Sequence, residues 1–275
     1  MIRRDPHNGE VIKPYIGGQE LNSSPTLSHN RCVINFGERT LEQAEGWPEL
    51  VEILLEKVKP ERDKNNRDNY RLRWWQFGEA RPGLYRTIAH LKRCLAGSQV
   101  SKHLVLAFQP TDRTFAHTLN IFAFDDYYHF AILQSRLHEY WARALGSSMK
   151  TDLRYTPSTC FETFPFPRPN EAQLQAIEAA GEALYRLRSE IMLTNNQGMT
   201  QVWNRLTDED NTEAEIVQLR HLRDVMDRAV LGAYGWGDVD PSDKDTLLTR
   251  LRKLNQERAA EDAAKVSPPT RGKRG

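Results

Sequence analysis

The sequence is poor in cysteine, and its three, Cys32, Cys94 and Cys160, lie far apart in 275 residues. No pair has the short spacing of a zinc knuckle or a redox motif, so the expectation is three core thiols in a reducing compartment. Long apolar runs are missing too. The opening stretch MIRRDPHNGEVIKP has no apolar centre, and nowhere do ~18 apolar residues follow one another. That predicts neither a signal peptide nor a membrane span, and it places the protein in the cytoplasm. Internal repeats are absent, and low-complexity sequence is confined to the ending SPPTRGKRG.

Catalytic motifs are missing as well. Methylation of an exocyclic amine needs a glycine-rich turn between a strand and a helix for S-adenosylmethionine, and an Asn/Asp-Pro-Pro-aromatic loop for the target amine. Gly17-Gly18 reads as leading into a turn, and the one Pro-Pro pair, Pro268-Pro269, lies in the tail. A Mg²⁺-dependent nuclease needs clustered carboxylates with a lysine, and Glu10-Val11-Ile12-Lys13 has the wrong spacing for it. No Walker loop, Gly-x-Ser-x-Gly elbow or His-Glu-x-x-His helix occurs. His138-Glu139 is read as packing, because adjacent helical residues point in different directions. Asp125-Asp126 is read as a helix start, where negative charge meets the positive end of the dipole. His7-Asn8 and His29-Asn30 are too short to count as nuclease motifs.

What is present is patterned. Arg31 to Phe36 reads as a strand. Thr40 with Gln43 fits a capping box, and Pro48 suits the first turn of a helix over 48–59 that buries Val51, Leu54, Leu55 and Val58. Tyr70, Trp74 and Phe77 fall on one helical side, with Trp74 expected in the core. Leu84, Ile88, Leu91 and Leu95 mark another helix, ended by Gly97. Lys102–Phe108 and Thr118–Phe124 read as a β-hairpin with a projecting loop. Phe130, Leu133, Leu137 and Trp141 form the stripe of an amphipathic helix whose other face carries Arg136, Glu139 and Arg143. The run Cys160-Phe161-Glu162-Thr163-Phe164-Pro165-Phe166-Pro167 cannot be helical and must cross a surface pinned by its aromatics. Beyond it, one stripe from Leu174 to Ile191 and another from Ile216 to Leu231 predict two long helices joined by a surface crossing over 194–211. Asp240-Pro241-Ser242 opens a shorter helix through Glu257. The fold class expected is α+β: a mixed recognition domain over 1–167 with a small sheet and flanking helices, an all-α region over 168–262, and a disordered basic tail over 263–275.

A net charge of +1 hides an asymmetry. From Lys57 to Arg113 there are thirteen Lys or Arg against five acids, whereas from Arg168 to Asp262 there are eighteen acids against twelve bases. The first half has the electrostatics of a polyanion binder. Duplex DNA asks for cations that neutralise phosphates and for side chains that pair with base edges. Lys57, Lys59, Arg62, Lys64, Arg67, Arg71 and Arg73 are candidates for the first role. Lys102, His103, Gln109, Arg113, His117 and Asn120, with Asp112 in the same loop, are candidates for the second, since Arg and Lys suit guanine and Gln and Asn suit adenine.

The segments LQSRLHEYWAR (133–143) and LRYTPSTCFETFPFP (153–167) resemble the region downstream of the catalytic domain in MmeI-like single-chain restriction-modification DNA methyltransferases. IKPYIGGQELNSSP (12–25), RCVINFGE (31–38), VKPERDK (58–64), RWWQFGEARPGLYR (73–86) and VSKHLVLAF (100–108) follow in the order that family has. The resemblance implies a target recognition region that binds double-stranded DNA. It also implies that a separate or missing catalytic domain holds S-adenosylmethionine and methylates a flipped adenine. This chain is expected to bind no cofactor or metal itself and not to be catalytic alone. Two rivals stay open: a non-enzymatic interaction subunit of a phage-defence complex, and an enzyme with a metal site near His103, His117 and His129.

Overall fold

The computed structural model describes residues 1–78, 80–149 and 152–266. Along the chain run β1 (Ile12–Ile16), α1 (Gly18–Ser23), β2 (Arg31–Ile34), α2 (Leu41–Ala44), α3 (Pro48–Lys57), α4 (Lys59–Arg62), α5 (Asp68–Leu72) and α6 (Pro82–Ile88). Then come β3 (Arg93–Ser98), β4 (Val100–Ser101), β5 (Leu106–Pro110), β6 (Thr114–Phe115) and β7 (Leu119–Phe122). The rest is α7 (Tyr127–Gln134), α8 (Arg136–Leu145), β8 (Ser147–Met149), β9 (Asp152–Arg154), α9 (Pro157–Cys160), α10 (Glu171–Thr194), α11 (Met199–Thr207), α12 (Ala214–Ala233) and α13 (Lys244–Val266). The chain forms two compact units, one of residues 1–97 and 107–125, the other of 98–106 and 126 onward. The division expected at 167/168 therefore falls inside the second unit.

In the first unit β1 is the middle strand of β2-β1-β6. It pairs antiparallel with β2, Ile12 opposite Ile34 and Tyr15 opposite Arg31, and parallel with β6, Tyr15 opposite Thr114. The expected capping box is there: Thr40 Oγ1 accepts from Gln43 N at 3.2 Å and Gln43 Oε1 accepts from Thr40 N at 2.9 Å. Pro48 opens α3, whose Leu50, Val51 and Leu54 pack with Val11, Phe36, Trp47 and Trp74 in one apolar cluster.

Four expected elements differ in this unit. A helix, α1, follows Gly17 directly where a turn was expected, and β1 was not foreseen. The helix expected to reach Leu95 stops at Ile88, and 93–98 is a strand buried from Cys94 to Ser98. The predicted hairpin is opened by that strand, because the second sheet runs β5-β3-β7. A short run buried on both faces has no amphipathic period, so Leu91 and Leu95 fell into helical register by spacing alone. The helical side read from Tyr70 to Phe77 shrinks to α5, although Trp74 is buried as expected.

The second unit is mostly helical, with a small sheet of order β4-β9-β8. The predicted amphipathic helix is two, broken at Ser135, whose Oγ caps α8 by accepting from His138 N at 3.2 Å. Phe130, Leu133, Leu137 and Trp141 are all buried, as their spacing required. Asp126 caps α7, accepting from His129 N at 2.7 Å. The Phe-Pro exit is held by its carbonyls: Tyr234 Oη donates to Pro165 O at 2.9 Å, and Arg258 donates to Phe166 O.

The crossing expected over 194–211 contains α11, which buries Met199, Val202, Trp203 and Leu206. The last helix begins at Lys244 and runs to Val266, past the expected end at Glu257 and into the stretch expected to be disordered; residues 267–275 lie outside the described residues. Cys94 and Cys160 are buried thiols, but Cys32 is exposed on the edge strand β2, contrary to expectation. Among the described residues no helix is long and apolar enough to cross a membrane.

Helices α7 and α10 approach so closely that a Cβ on Gly181 would lie 2.7 Å from Tyr127 O and 2.9 Å from Ala131 Cβ. Gly181→Ala is therefore expected to lower stability by about 1–3 kcal/mol, despite alanine's better helix propensity. Urea unfolding of the full chain measures it, and a more stable variant would contradict this close contact.

Candidate nucleic-acid interface

The predicted basic run divides by partner. Lys59 Nζ lies 2.6 Å from Asp63 Oδ2 and Arg71 Nη2 lies 2.5 Å from Asp68 Oδ1, so each has a carboxylate of its own. Lys57, Lys64, Arg67 and Arg73 are exposed. The Arg62 guanidinium lies over the Tyr70 ring at 4.7 Å, and its Nη2 donates to Gln76 O at 3.5 Å.

The second set of candidates is not brought together as one loop. Lys102 and His103 belong to the second unit, where Lys102 Nζ donates to Asn204 Oδ1 at 2.8 Å and His103 Nε2 meets the same oxygen at 2.9 Å. His103 is buried, and that burial lowers its pKa. Gln109 is fully buried, which removes it as a base reader; its Oε1 accepts from Arg113 Nη1 at 2.7 Å. Asn120 is half-buried in β7, and His117 is exposed. Beside His117, Thr118 Oγ1 accepts from Gly18 N at 3.2 Å, which fastens this turn to the Gly17-Gly18 corner.

Two adjoining clefts in the first unit gather side chains that sequence reasoning had scattered or missed. One, of about 470 Å³, is lined by Lys13, Asn35, Arg39, Tyr85, Arg86 and Arg113 among others. The other, of about 560 Å³, is lined by Arg62, Asn69, Arg73, Gln76 and Arg81 among others. Glu38, Ala80 and Pro82 line both.

The walls are fixed by hydrogen bonds. Arg39 O accepts from both Trp75 Nε1 and Gln76 Nε2, each at 2.9 Å. Asn35 Nδ2 donates to Thr114 Oγ1 at 3.0 Å, and Tyr85 Oη accepts from Phe115 N at 3.0 Å. Arg113 is only 10% exposed; burial pulls its pKa below the usual guanidinium value, and Asp112 works against that. Burial likewise pushes the Tyr85 phenol up. Arg81 sits at a left-handed φ of 43°, uncommon for a residue with a side chain. Lys13, Arg39, Arg81 and Arg86 were missed because they come from three separated places: Lys13 from β1, Arg39 from the loop after β2, and Arg81 and Arg86 from the start and body of α6. The string RWWQFGEARPGLYR was the one signal that singled out two of them.

The arrangement suits binding of an anionic polymer, and among the described residues that line the clefts no nucleophile is paired with a base. Among the described residues no group of three or more His, Cys, Asp or Glu is placed to hold a metal ion. The Gly17-Gly18 corner does follow a strand and open a helix, but Gly17 N donates to Glu20 Oε2 at 3.0 Å and Gly18 N to Thr118. The backbone donors a bound S-adenosylmethionine would need there are thus occupied, and the residues do not fit that cofactor.

Residues 1–168 match the family described as MmeI, target recognition domain. The chain belongs to the MmeI target recognition domain family. It is 32% identical over 130 residues to DNA methyltransferase A of Bacillus subtilis (strain 168), a match covering 47% of this chain and 13% of that protein. A solved structure of the Type IIL restriction-modification enzyme MmeI in complex with DNA has the same fold, with a TM-score of 0.72 at 19% identity. That likeness covers 94% of this chain and 32% of the MmeI chain. The chain thus spans a minor part of the length of both. Membership of the MmeI target recognition family bears out the resemblance carried by LQSRLHEYWAR and FETFPFP, and the α+β class with a helical C-terminal region is the expected one.

Proposed function

We propose that this chain is the DNA sequence-reading part of an adenine-specific restriction-modification methyltransferase, with residues 1–167 binding duplex DNA and choosing the site. The observation that carries the reading is the match of residues 1–168 to the MmeI target recognition domain. The exposed cations of the first unit support it, because neutralising phosphates supplies most non-specific affinity for DNA. Lys57, Arg62, Lys64, Arg67, Arg73, Arg113, His117 and Asn120 remain DNA-facing candidates. Lys59 and Arg71 have local acids, Lys102 and His103 hold Asn204, and Gln109 is buried, so these five leave the set.

A catalytic domain or subunit elsewhere would hold S-adenosylmethionine and act on the flipped adenine, in the cytoplasm, while residues 168–262 brace the reading region. The chain's own residues would supply register and choice of sequence, not the transfer step. Selection of a randomised duplex library on the full chain at two salt concentrations tests the reading. One short motif should be enriched and should persist at the higher salt. Recovery without any enriched motif, or no recovery, would leave an interaction subunit as the better account.

A further inference from the structure

We infer that the two adjoining clefts of the first unit are the track for the DNA phosphate backbone, gripped by Arg39, Arg62, Arg73, Arg81, Arg86 and Arg113. The inference rests on the proposed reading of duplex DNA and names the surface that does the holding. Its first support is convergence. These six arginines come from chain segments spread between β2 and β6, yet all line the two clefts, which meet at Ala80 and Pro82. Glu10, Glu38 and Asp112 are the acids lining the same space, so among the described residues its charge is positive even before Lys13 is added.

The second support is that three of the guanidiniums are held before any ligand arrives. Arg62 rests on the Tyr70 ring at 4.7 Å. Arg39 rests on the Trp47 ring at 5.2 Å and donates through Nη1 to Phe36 O at 3.2 Å. Arg113 is tied to Gln109 through Nη1. A planar guanidinium fixed by one edge or face keeps donors for a phosphate and loses little rotamer freedom on binding. The exposed lysines at 57 and 64 have no such support, and each would lose the freedom of a long stem on engaging a phosphate.

The third support comes from the rest of the basic run. Lys59 and Arg71 are each beside an acid three or four residues away at 2.6 and 2.5 Å, a pairing that a phosphate would have to displace, whereas the cleft pairs are looser, Arg86 with Glu38 at 4.0 Å and Arg113 with Asp112 at 3.6 Å. Charge density along the sequence therefore points to the run, whereas partnering and shape point to the clefts. Duplex DNA is the occupant this surface fits, because two adjoining clefts lined by six arginines suit a continuous chain of monoanions better than a single small anion.

The test is the salt dependence of duplex binding by the full chain, measured by fluorescence anisotropy. The double variant Arg73→Gln with Arg86→Gln removes one exposed arginine from each cleft. It should lower the slope of log affinity against log salt by about 2, since each phosphate contact contributes about 0.9. Lys59→Gln with Arg71→Gln should leave the slope at the wild-type value. The motif enriched from a random library should be the same in all three proteins, because phosphate contacts carry no sequence information. Thermal unfolding identical to wild type excludes a folding defect.

If wild type enriches a motif and the Arg73/Arg86 variant keeps its full slope, the track is elsewhere and the sequence-reading function stands. If wild type binds with a slope that the variant loses but enriches nothing, the clefts hold phosphate and sequence reading fails. Absence of any binding by wild type overturns both.

Discussion

Ending the chain after Arg168, where the family match stops, is expected to leave residues 126–168 unfolded. Helix α7 buries Phe130, Ala131, Ile132 and Leu133 completely, and α10 and α12 both pack on it. The start of α8 is capped from α12, since Asp227 Oδ1 accepts from Arg136 N at 3.0 Å. Glu139 accepts from Arg223 Nη2 at 2.9 Å, and the Phe-Pro carbonyls are held by Tyr234 and Arg258. Even Gly181 serves this contact, because its missing side chain lets α10 meet the α7 backbone.

Exposing a fully buried leucine, isoleucine or phenylalanine costs about 1.5–3 kcal/mol. Four or five such side chains amount to roughly the whole ~5–15 kcal/mol of a typical domain. Limited proteolysis and urea unfolding of the two lengths make the comparison. The full chain should protect 126–168, and the shortened chain should be cut there and lose an unfolding transition. Protection of that segment in the shortened chain would mean that the C-terminal helices are accessory. If the expectation holds, the acidic half of the sequence is part of the scaffold that holds residues 126–168 in place.

The sequence revealed this region's elements better than its grouping. The stripe Phe130, Leu133, Leu137, Trp141 was legible because one face is buried, and spacing reports that directly. The break at Ser135 was not, since a serine inside a helical pattern and a serine that caps a second helix look alike until Asp227 arrives from about ninety residues away. Trp203 was hidden for another reason. Its helix lies between two stretches rich in Asn, Asp and Gly, and those loop signals outweighed the short apolar pattern Met199, Val202, Trp203, Leu206. Arg188 shows the limit most plainly: it occupies a core position of α10, fully buried over the rings of Phe130, Tyr185 and Trp203. No pattern of apolar residues announces a buried arginine.

The candidate interface was legible in charge and illegible in shape. Counting lysines and arginines from Lys57 onward reaches several of the residues that line the clefts, yet counting cannot tell Arg71, which has Asp68, from Arg73, which lines a cleft. Gln109 was chosen for its amide, which suits adenine, but the strand places that amide inside the protein under Arg113. Arg39 drew no notice because it is alone in its own segment, and Arg86 because nothing in the sequence places it beside Arg39. Only the fold brings them to the same cleft.

Acid is expected to weaken the second unit through His138. The side chain is 1% exposed, its Nε2 lies 2.9 Å from Tyr155 Oη, and its ring meets Phe164 edge to face at 4.6 Å. Burial pushes its pKa down to about 3. In the unfolded chain the same imidazole titrates near ~6.5. Between those values the unfolded state carries the extra proton, so stability is fully present above ~6.5 and falls as the pH drops toward 3. One such group contributes about 1.4 kcal/mol per pH unit, or roughly 2–3 kcal/mol between pH 6.5 and 4.5.

Asp227 in the same unit acts in the opposite sense: burial raises its pKa to about 6 against the pull of Arg223 and Arg136, so it favours the folded state as the pH falls through that value. The raw acid profile is therefore a sum of opposing groups, and the difference between wild type and His138→Gln isolates the imidazole. Glutamine keeps a partner for Tyr155 and carries no charge at any pH. The variant should be less stable near neutrality, because it packs less well against Phe164, and the gap should narrow by about 1.4 kcal/mol for each unit below ~6.5. Urea midpoints for both proteins at several pH values read this out. A gap that stays constant with pH would mean that His138 becomes protonated in place, and that the pocket formed by Tyr155 and Phe164 admits a charge.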